Sequence, residues 1–391
     1  MVVTLGAGTL HDPLVAAALR GCGLDAEAAA TPTDEALALG RSLMARGHPC
    51  TAYYLAGAMV LHARARTGDV RFVTPGDRCG AYASDLARAL RDAGVEGAAV
   101  YAPSPERGLG GLGGLLLEAR RPVWPTLCDA LAAGDAILAA GARLRARGAD
   151  PAAVDARIDA VARAVIGALE RGGDTVEAVR HNAWRLRNRR PRRAPRLRVR
   201  VTGEALPAMS CGDPGARLVR WMESQGAEVE TPLASEWALH QVWRAHRLDG
   251  GAAVERSRIH DAWTRHAAAT GHRLAPPVDA AEWVEAAASW VPPSLCAGAG
   301  FTEIATYLQV ARDRRADLVV SLKPFASITS SSISDAVLHS LAREMGVGFL
   351  PLEVNGDGHA QMRSRLEMAM DFARRTSAAR DECVEGPDGG S

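Results

Sequence analysis

Lysine is all but missing from this chain. Of 46 basic residues in 391, one is lysine, Lys323, and the rest are arginine. With so much Ala and Gly, that bias marks a bacterium with a GC-rich genome, which turns Lys into Arg wherever either serves. A lysine that persists points to work for a compact ammonium with a tunable pKa. Charge of one sign is also lacking. Lys+Arg 46 against Asp+Glu 45 leaves a net charge of +1, which excludes a generally basic nucleic-acid coat or an acidic tail protein. No run reaches 18 apolar residues, so no membrane span is expected. The first residues show no cationic region before a long apolar stretch, so no secretory signal is expected. These absences predict a cytoplasmic protein that binds neither nucleic acid nor membrane.

Paired cysteines are absent too. The seven cysteines (22, 50, 79, 128, 211, 296 and 383) are odd in number and widely spaced, with no C-x-x-C. That excludes a disulfide framework and the zinc-ribbon and ferredoxin spacings. A metal site would have to gather cysteines from distant segments. None of the 11 histidines forms a clear ligand pair. There is no P-loop, H-E-x-x-H, G-x-S-x-G or D-x-G-x-T loop, so ATP hydrolysis is not placed on this chain.

What is present reads as α/β. A prior of roughly 150 residues per domain gives two or three domains. Short β-like runs at 2–5, 70–73 and 98–101 alternate with helical stretches at 34–45, 52–65 and 84–93. That alternation predicts a parallel sheet. Residues 1–123 are expected to form a first α/β domain and 124–194 a helical insert with an Arg/Pro-rich linker. A second α/β domain covers 195–376, and 377–391 is expected to be a disordered tail. Strands are predicted at 197–202, 227–231, 317–322 and 348–353, the first with arginine outward and apolar residues inward. Residues 185–200 hold nine arginines and two prolines. They read as a solvated linker more readily than as a phosphate patch.

Gly108 to Gly113 matches G-x-G-x-x-G. The first Gly does not directly follow a strand, and Pro122 ends the next apolar run early, so it reads as a loop. The segment from Ser321 to Ser332 is more informative. It follows an apolar strand, precedes a helix, and places five hydroxyls between Ser327 and Ser332 beside the only lysine. Strand carboxyl ends and helix N-termini receive ligands in such sheets. An anion or phosphate-bearing ligand and a simple N-capping stretch both fit. Asn355-Gly-Asp-Gly358 and Thr202-Gly-Glu204 close two further strands and are expected to border the same cleft. Trp237 and Trp243 read as core or interface anchors.

Several segments together resemble the 2-hydroxyacyl-CoA dehydratase-like proteins, in the acyl-CoA dehydratase activase-related branch that includes double-cubane cluster proteins. They are Pro32 to Gly40, Gly47-His-Pro-Cys50, Arg78-Cys-Gly-Ala-Tyr82, Val201-Thr-Gly-Glu204, Gly226 to Pro232, Ser235-Glu-Trp237, Lys323-Pro-Phe325 and Ser332-Ile-Ser-Asp335. The likeness spans residues 32 to 375. It implies two Rossmann-like domains with parallel sheets, joined by a helical segment, and an iron–sulfur cluster between them. It also implies low-potential reduction or dehydration of a CoA-thioester-like substrate, with an ATP-hydrolysing activase as electron donor.

The chain departs from that pattern. Carried over by position, the cluster ligands are Cys50, Asp77 and Ser327, with Cys79 two positions from the expected place. Thiolates are soft ligands, whereas Asp and Ser are hard. Three readings remain open. One is a cluster-bearing enzyme component using Cys50, Cys79 and Cys211 or Cys296. Another is a cluster-less subunit that partners a cysteine-bearing homologue or an activase. The third is a cluster-free enzyme with Lys323 and Ser327 as catalytic groups. Candidate ligand-binding residues are Arg78, Tyr82, Glu204, Phe325, Ser330, Ser331, Ser332, Asp335, Asn355 and Asp357.

Overall fold

A computed structural model of the chain describes every residue except 5–8, 31–32, 47, 49, 75–81, 103–111, 188–196, 205–207, 209–213, 247–252, 293–299, 325–327, 355–358 and 385–391. The described residues form an α/β protein with two four-stranded, wholly parallel sheets. The first contains β1 (Val2–Thr4), β2 (Ala26–Ala28), β3 (Val70–Val73) and β4 (Ala98–Tyr101), in the order β2-β1-β3-β4. Its helices are α1 (His11–Gly21), α2 (Asp34–Leu43), α3 (Cys50–Arg64) and α4 (Tyr82–Asp92). The Thr33 hydroxyl accepts the Ala36 N–H at 3.2 Å and starts α2, satisfying one orphan donor of the first turn. α3 is buried without a break from Cys50 to Val60, which is why it is apolar all round.

Helices fill the middle of the chain: α5 (Gly113–Leu116), α6 (Val123–Ala146), α7 (Pro151–Arg171) and α8 (Thr175–Asn182). α7 starts where the Asp150 carboxylate accepts the Ala153 N–H and Pro151 takes the first turn; it stops at left-handed Gly172. This is the usual asymmetry of helix ends. By length and composition α6 is long and apolar enough to cross a membrane. Here its apolar surface is used twice within the protein. Ala130, Ile137 and Leu144 pack with α1 and α7. Cys128, Ala132 and Ala136 pack against Leu239, Ile259 and Trp263 on the far side.

The second sheet contains β5 (Leu197–Gly203), β6 (Ala227–Glu230), β7 (Leu318–Pro324) and β8 (Gly348–Val354), in the order β6-β5-β7-β8. Around it lie α9 (Pro214–Ser224), α10 (Ala234–His246), α11 (Ala253–Thr270), α12 (Ala280–Ala287), α13 (Gly300–Arg312), α14 (Asp335–Met345) and α15 (His359–Val384). One face presents Val199, Val201, Val320 and Leu322 to Met222 of α9 and Leu366 and Met370 of α15. The other face turns Val319 towards α12, α13 and α14. The two sheets share one strand order, second-first-third-fourth, so the halves are structural duplicates although no sequence repeat is visible. Both are Rossmann-like.

Two expectations need correction. Residues 377–384, expected to be disordered, continue α15 to Val384; Ala, Arg and Glu there favour extending the helix. Only the Arg198 side of the expected β5 alternation faces out: Arg200 is 6% exposed. Both faces of this sheet are covered, and Arg200 has carboxylate partners that make its burial tolerable.

Candidate functional site

In each half the first and third strands are neighbours, and the chain leaves them in opposite directions along the sheet. The carboxyl ends at such a switch point frame a crevice where ligands bind in open α/β sheets. In the second domain these ends are Gly203–Glu204 on β5 and Lys323–Pro324 on β7. They approach closely. The Glu204 N–H donates to the Leu322 carbonyl at 2.9 Å. Gly203 has φ +110°, and a Cβ there would lie 2.1 Å from the same oxygen, so only glycine fits. Glu204 is half-buried beside this junction.

Lys323 is fully buried. Its ammonium donates to Glu303 Oε2 of α13 at 3.4 Å and to Asp335 Oδ1 at the first residue of α14. The same Glu303 oxygen accepts from Ser321 Oγ at 3.1 Å and Ser334 Oγ at 2.9 Å. Glu303 is also fully buried, and its Oε1 has no hydrogen-bond partner among the described residues. The Asp335 side chain, 19% exposed, is the outward member of the group. Burial pushes its carboxyl above the usual range, against the pull of Lys323. An ammonium between two carboxylates is compensated in charge, which a buried lysine requires. Lys323 itself is closed off from solvent, and Asp335 is the partly exposed partner of its ammonium.

The hydroxyl-rich segment after β7 is a π-helical stretch, Ile328–Ser334, running into α14. Such wide turns are rare and recur at functional sites. Ser331 Oγ donates to Glu353 Oε1 of β8 at 3.1 Å, and Ser332 is exposed. Ser330 lies in the same stretch. Thus Lys323, Ser331, Ser332, Asp335 and Glu204 converge on the ends of β5, β7 and β8. Ser327, Phe325, Asn355, Asp357, Arg78, Asp77 and Cys79 fall outside the described residues, as do Cys211 and Cys296. Tyr82 opens α4.

A second buried ionic group shares this face of the sheet. Arg200 donates to Glu230 Oε1 at 2.6 Å and to Glu236 Oε2 at 3.2 Å, and Arg315 reaches Glu230 at 2.6 Å. Burial works against ionising Glu230, but Arg200 and Arg315 outweigh it and hold its carboxyl below the usual range. For Glu236 burial prevails over Arg200 and the carboxyl is raised. Glu303, Glu230 and the burial of Arg200 were not foreseen. The one available signal was the charge pattern of an Arg-x-Arg strand beside a Glu-x-Glu strand.

Cys50 begins α3 in the first domain, is 1% exposed, and packs into the second domain's apolar core. It therefore lies at the seam between the halves. Cys22 and Cys128 are buried free thiols; burial, with Asp129 nearby, pushes the Cys128 thiol up to about 12. Among the described residues, no three His, Cys, Asp or Glu side chains are grouped to hold a metal ion. No protein-family model matches the chain, and no curated protein matches it.

Proposed function

We propose that the chain is a divergent 2-hydroxyacyl-CoA dehydratase-like subunit that binds an anionic, CoA-thioester-like ligand and has given up the iron–sulfur cluster. The observation that carries this reading is the crevice at the ends of β5 and β7. There the only lysine is locked behind Asp335, and a hydroxyl-rich π-helical turn leads into the N-terminus of α14. Backbone N–H groups and hydroxyls at such a position suit an anion. The donor set does not suit a cluster. By the resemblance the three positions offer one thiolate, one carboxylate and one hydroxyl, and the thiol of Cys50 is packed among aliphatic side chains. Iron–sulfur clusters require several soft thiolates.

In this reading the chain pairs with a cysteine-bearing homologue, or meets an activase, and contributes ligand binding rather than electron transfer. Lys323 and Glu303 position Asp335, and Ser331 and Ser332 contact the ligand. Cys22 and Cys128, buried thiols outside any disulfide, support a reducing compartment, the cytoplasm. Calorimetric titration of the full chain with acetyl-CoA tests the reading. We expect saturable binding, weakened about threefold or more in Ser331→Ala/Ser332→Ala, the effect of losing a modest hydrogen bond. Absence of binding by the wild-type chain would refute the reading, as would undiminished binding by the double variant.

A further inference from the structure

A second cavity, of about 580 Å³, lies along the free edge of the second sheet, between β6, α6 and the turn that precedes β7. That volume is typical of metabolite sites. Its walls include the apolar side chains of Leu138, Leu233 and Leu274, with Trp263 behind them. Arg273 and Arg314 stand exposed on its lining, and neither side chain makes a hydrogen bond or ion pair to any described residue. The other arginines there are engaged: Arg315 with Glu230, Arg143 with Glu228 and Arg198 with Asp317.

Two further observations point to a ligand. The first is the backbone of Arg314. Its φ of 50° makes it the one non-glycine residue with positive φ among the described residues. It caps α13: its N–H reaches the Ala311 carbonyl, and the Arg315 N–H reaches that of Val310. This is the Schellman arrangement, whose left-handed position favours glycine. An arginine kept there at a conformational cost is explained if its guanidinium has a use.

The second is His11, 7% exposed on the cavity wall. Its Nε2 lies 3.0 Å from Asp135 Oδ1, while Nδ1 is buried and has no hydrogen-bond partner among the described residues. Asp135 also accepts the Ala234 and Ser235 N–H groups, each at 2.8 Å. The carboxylate only accepts, so Nε2 carries the hydrogen, and the ring is held in place as part of the cavity wall.

We infer that this cavity binds a phosphate-bearing metabolite of about nucleotide size. Arg273 and Arg314 hold its phosphates, and His11 and the leucine wall receive its body. Guanidinium forks match phosphate oxygens in geometry as well as charge. The inference does not depend on the crevice at the ends of β5 and β7.

The test is calorimetric titration of the full chain with ADP and with inorganic pyrophosphate. We expect saturable ADP binding that falls at least tenfold in Arg273→Ala and in Arg314→Gly. The second variant supplies its own folding control, because glycine relieves the backbone at this position. Its melting temperature without ligand is expected to equal or exceed that of the wild type. Ser331→Ala/Ser332→Ala is expected to leave ADP binding unchanged, so failure of the crevice reading and failure of this one are distinguishable. No ADP binding by the wild type, binding retained in both arginine variants, or binding of pyrophosphate without ADP would overturn the inference.

Discussion

Lys323 illustrates how a residue can be conspicuous in the sequence while its surroundings are not. Its solitude among 46 basic residues singled it out. Glu303, 20 residues earlier, became visible only in the fold, because nothing local marks a buried carboxylate on an apolar helix. The same holds for His11 and Asp135, which meet across 124 positions. Removing one member of such a group strands the others. We expect Lys323→Met to cost about 3–5 kcal/mol in urea unfolding, since it leaves Glu303 buried and uncompensated. The triple variant Lys323→Met/Glu303→Gln/Asp335→Asn is expected to cost less than the single one. A triple cost equal to the sum of the single costs would contradict a coupled group.

Asp335 adds a pH dependence. Its folded-state pKa is raised, chiefly by burial. Between the ordinary aspartate value and the raised one, the folded chain binds more protons than the unfolded chain, so this group's contribution to stability falls as pH rises through that window. Asp335→Asn removes the effect. We therefore expect the destabilisation of Asp335→Asn relative to wild type to be larger at about pH 4 than at about pH 7. Unfolding curves that show an equal or opposite difference would sink this account of the site. Glu230 acts in the other direction. Its lowered pKa stabilises at neutral pH and that contribution is lost as pH falls through it.

At the scale of elements, the sequence was most legible where periodicity and caps agree. The runs at 70–73, 98–101 and 348–353 and the helix at 151–171 were readable because short apolar runs, Asp150-Pro151 and Gly172 mark them locally. β2 was missed because Ala-Glu-Ala carries no strand signal of its own; it is a strand because it pairs with β1. The π-helical stretch was also invisible, since Ser and Thr runs suit a cap, a turn or a helix alike. Close helix packing was equally hidden. In α2 a Cβ on Gly40 would lie 1.8 Å from the Tyr53 carbonyl oxygen, and in α3 one on Gly57 would lie 1.8 Å from that of Ala36. The two glycines let the helices touch backbone to backbone. We expect Gly40→Ala or Gly57→Ala to lower stability by about 3 kcal/mol or more, because the whole helix must move to admit a methyl group. Chemical denaturation checks this. A change below about 1 kcal/mol would mean the crossing is loose.

For the whole molecule, two sheets of one strand order flank a helical centre, and α6 gives one face to each adjoining core. The α/β alternation made the class readable. Two Rossmann-like units were expected, but their shared strand order was not readable, because strand order is a three-dimensional property that different sequences satisfy equally well. Cys50, delivered by the first half into the core of the second, is the one cysteine among the three cluster positions that the resemblance implies. The most direct measurement is of iron and acid-labile sulfide in protein purified and reconstituted under strict anaerobiosis, with its visible spectrum. We expect background iron and sulfide and a colourless protein. Stoichiometric iron and sulfide, with broad thiolate-to-iron absorption near ~400 nm that disappears in Cys50→Ala, would contradict a cluster-less subunit.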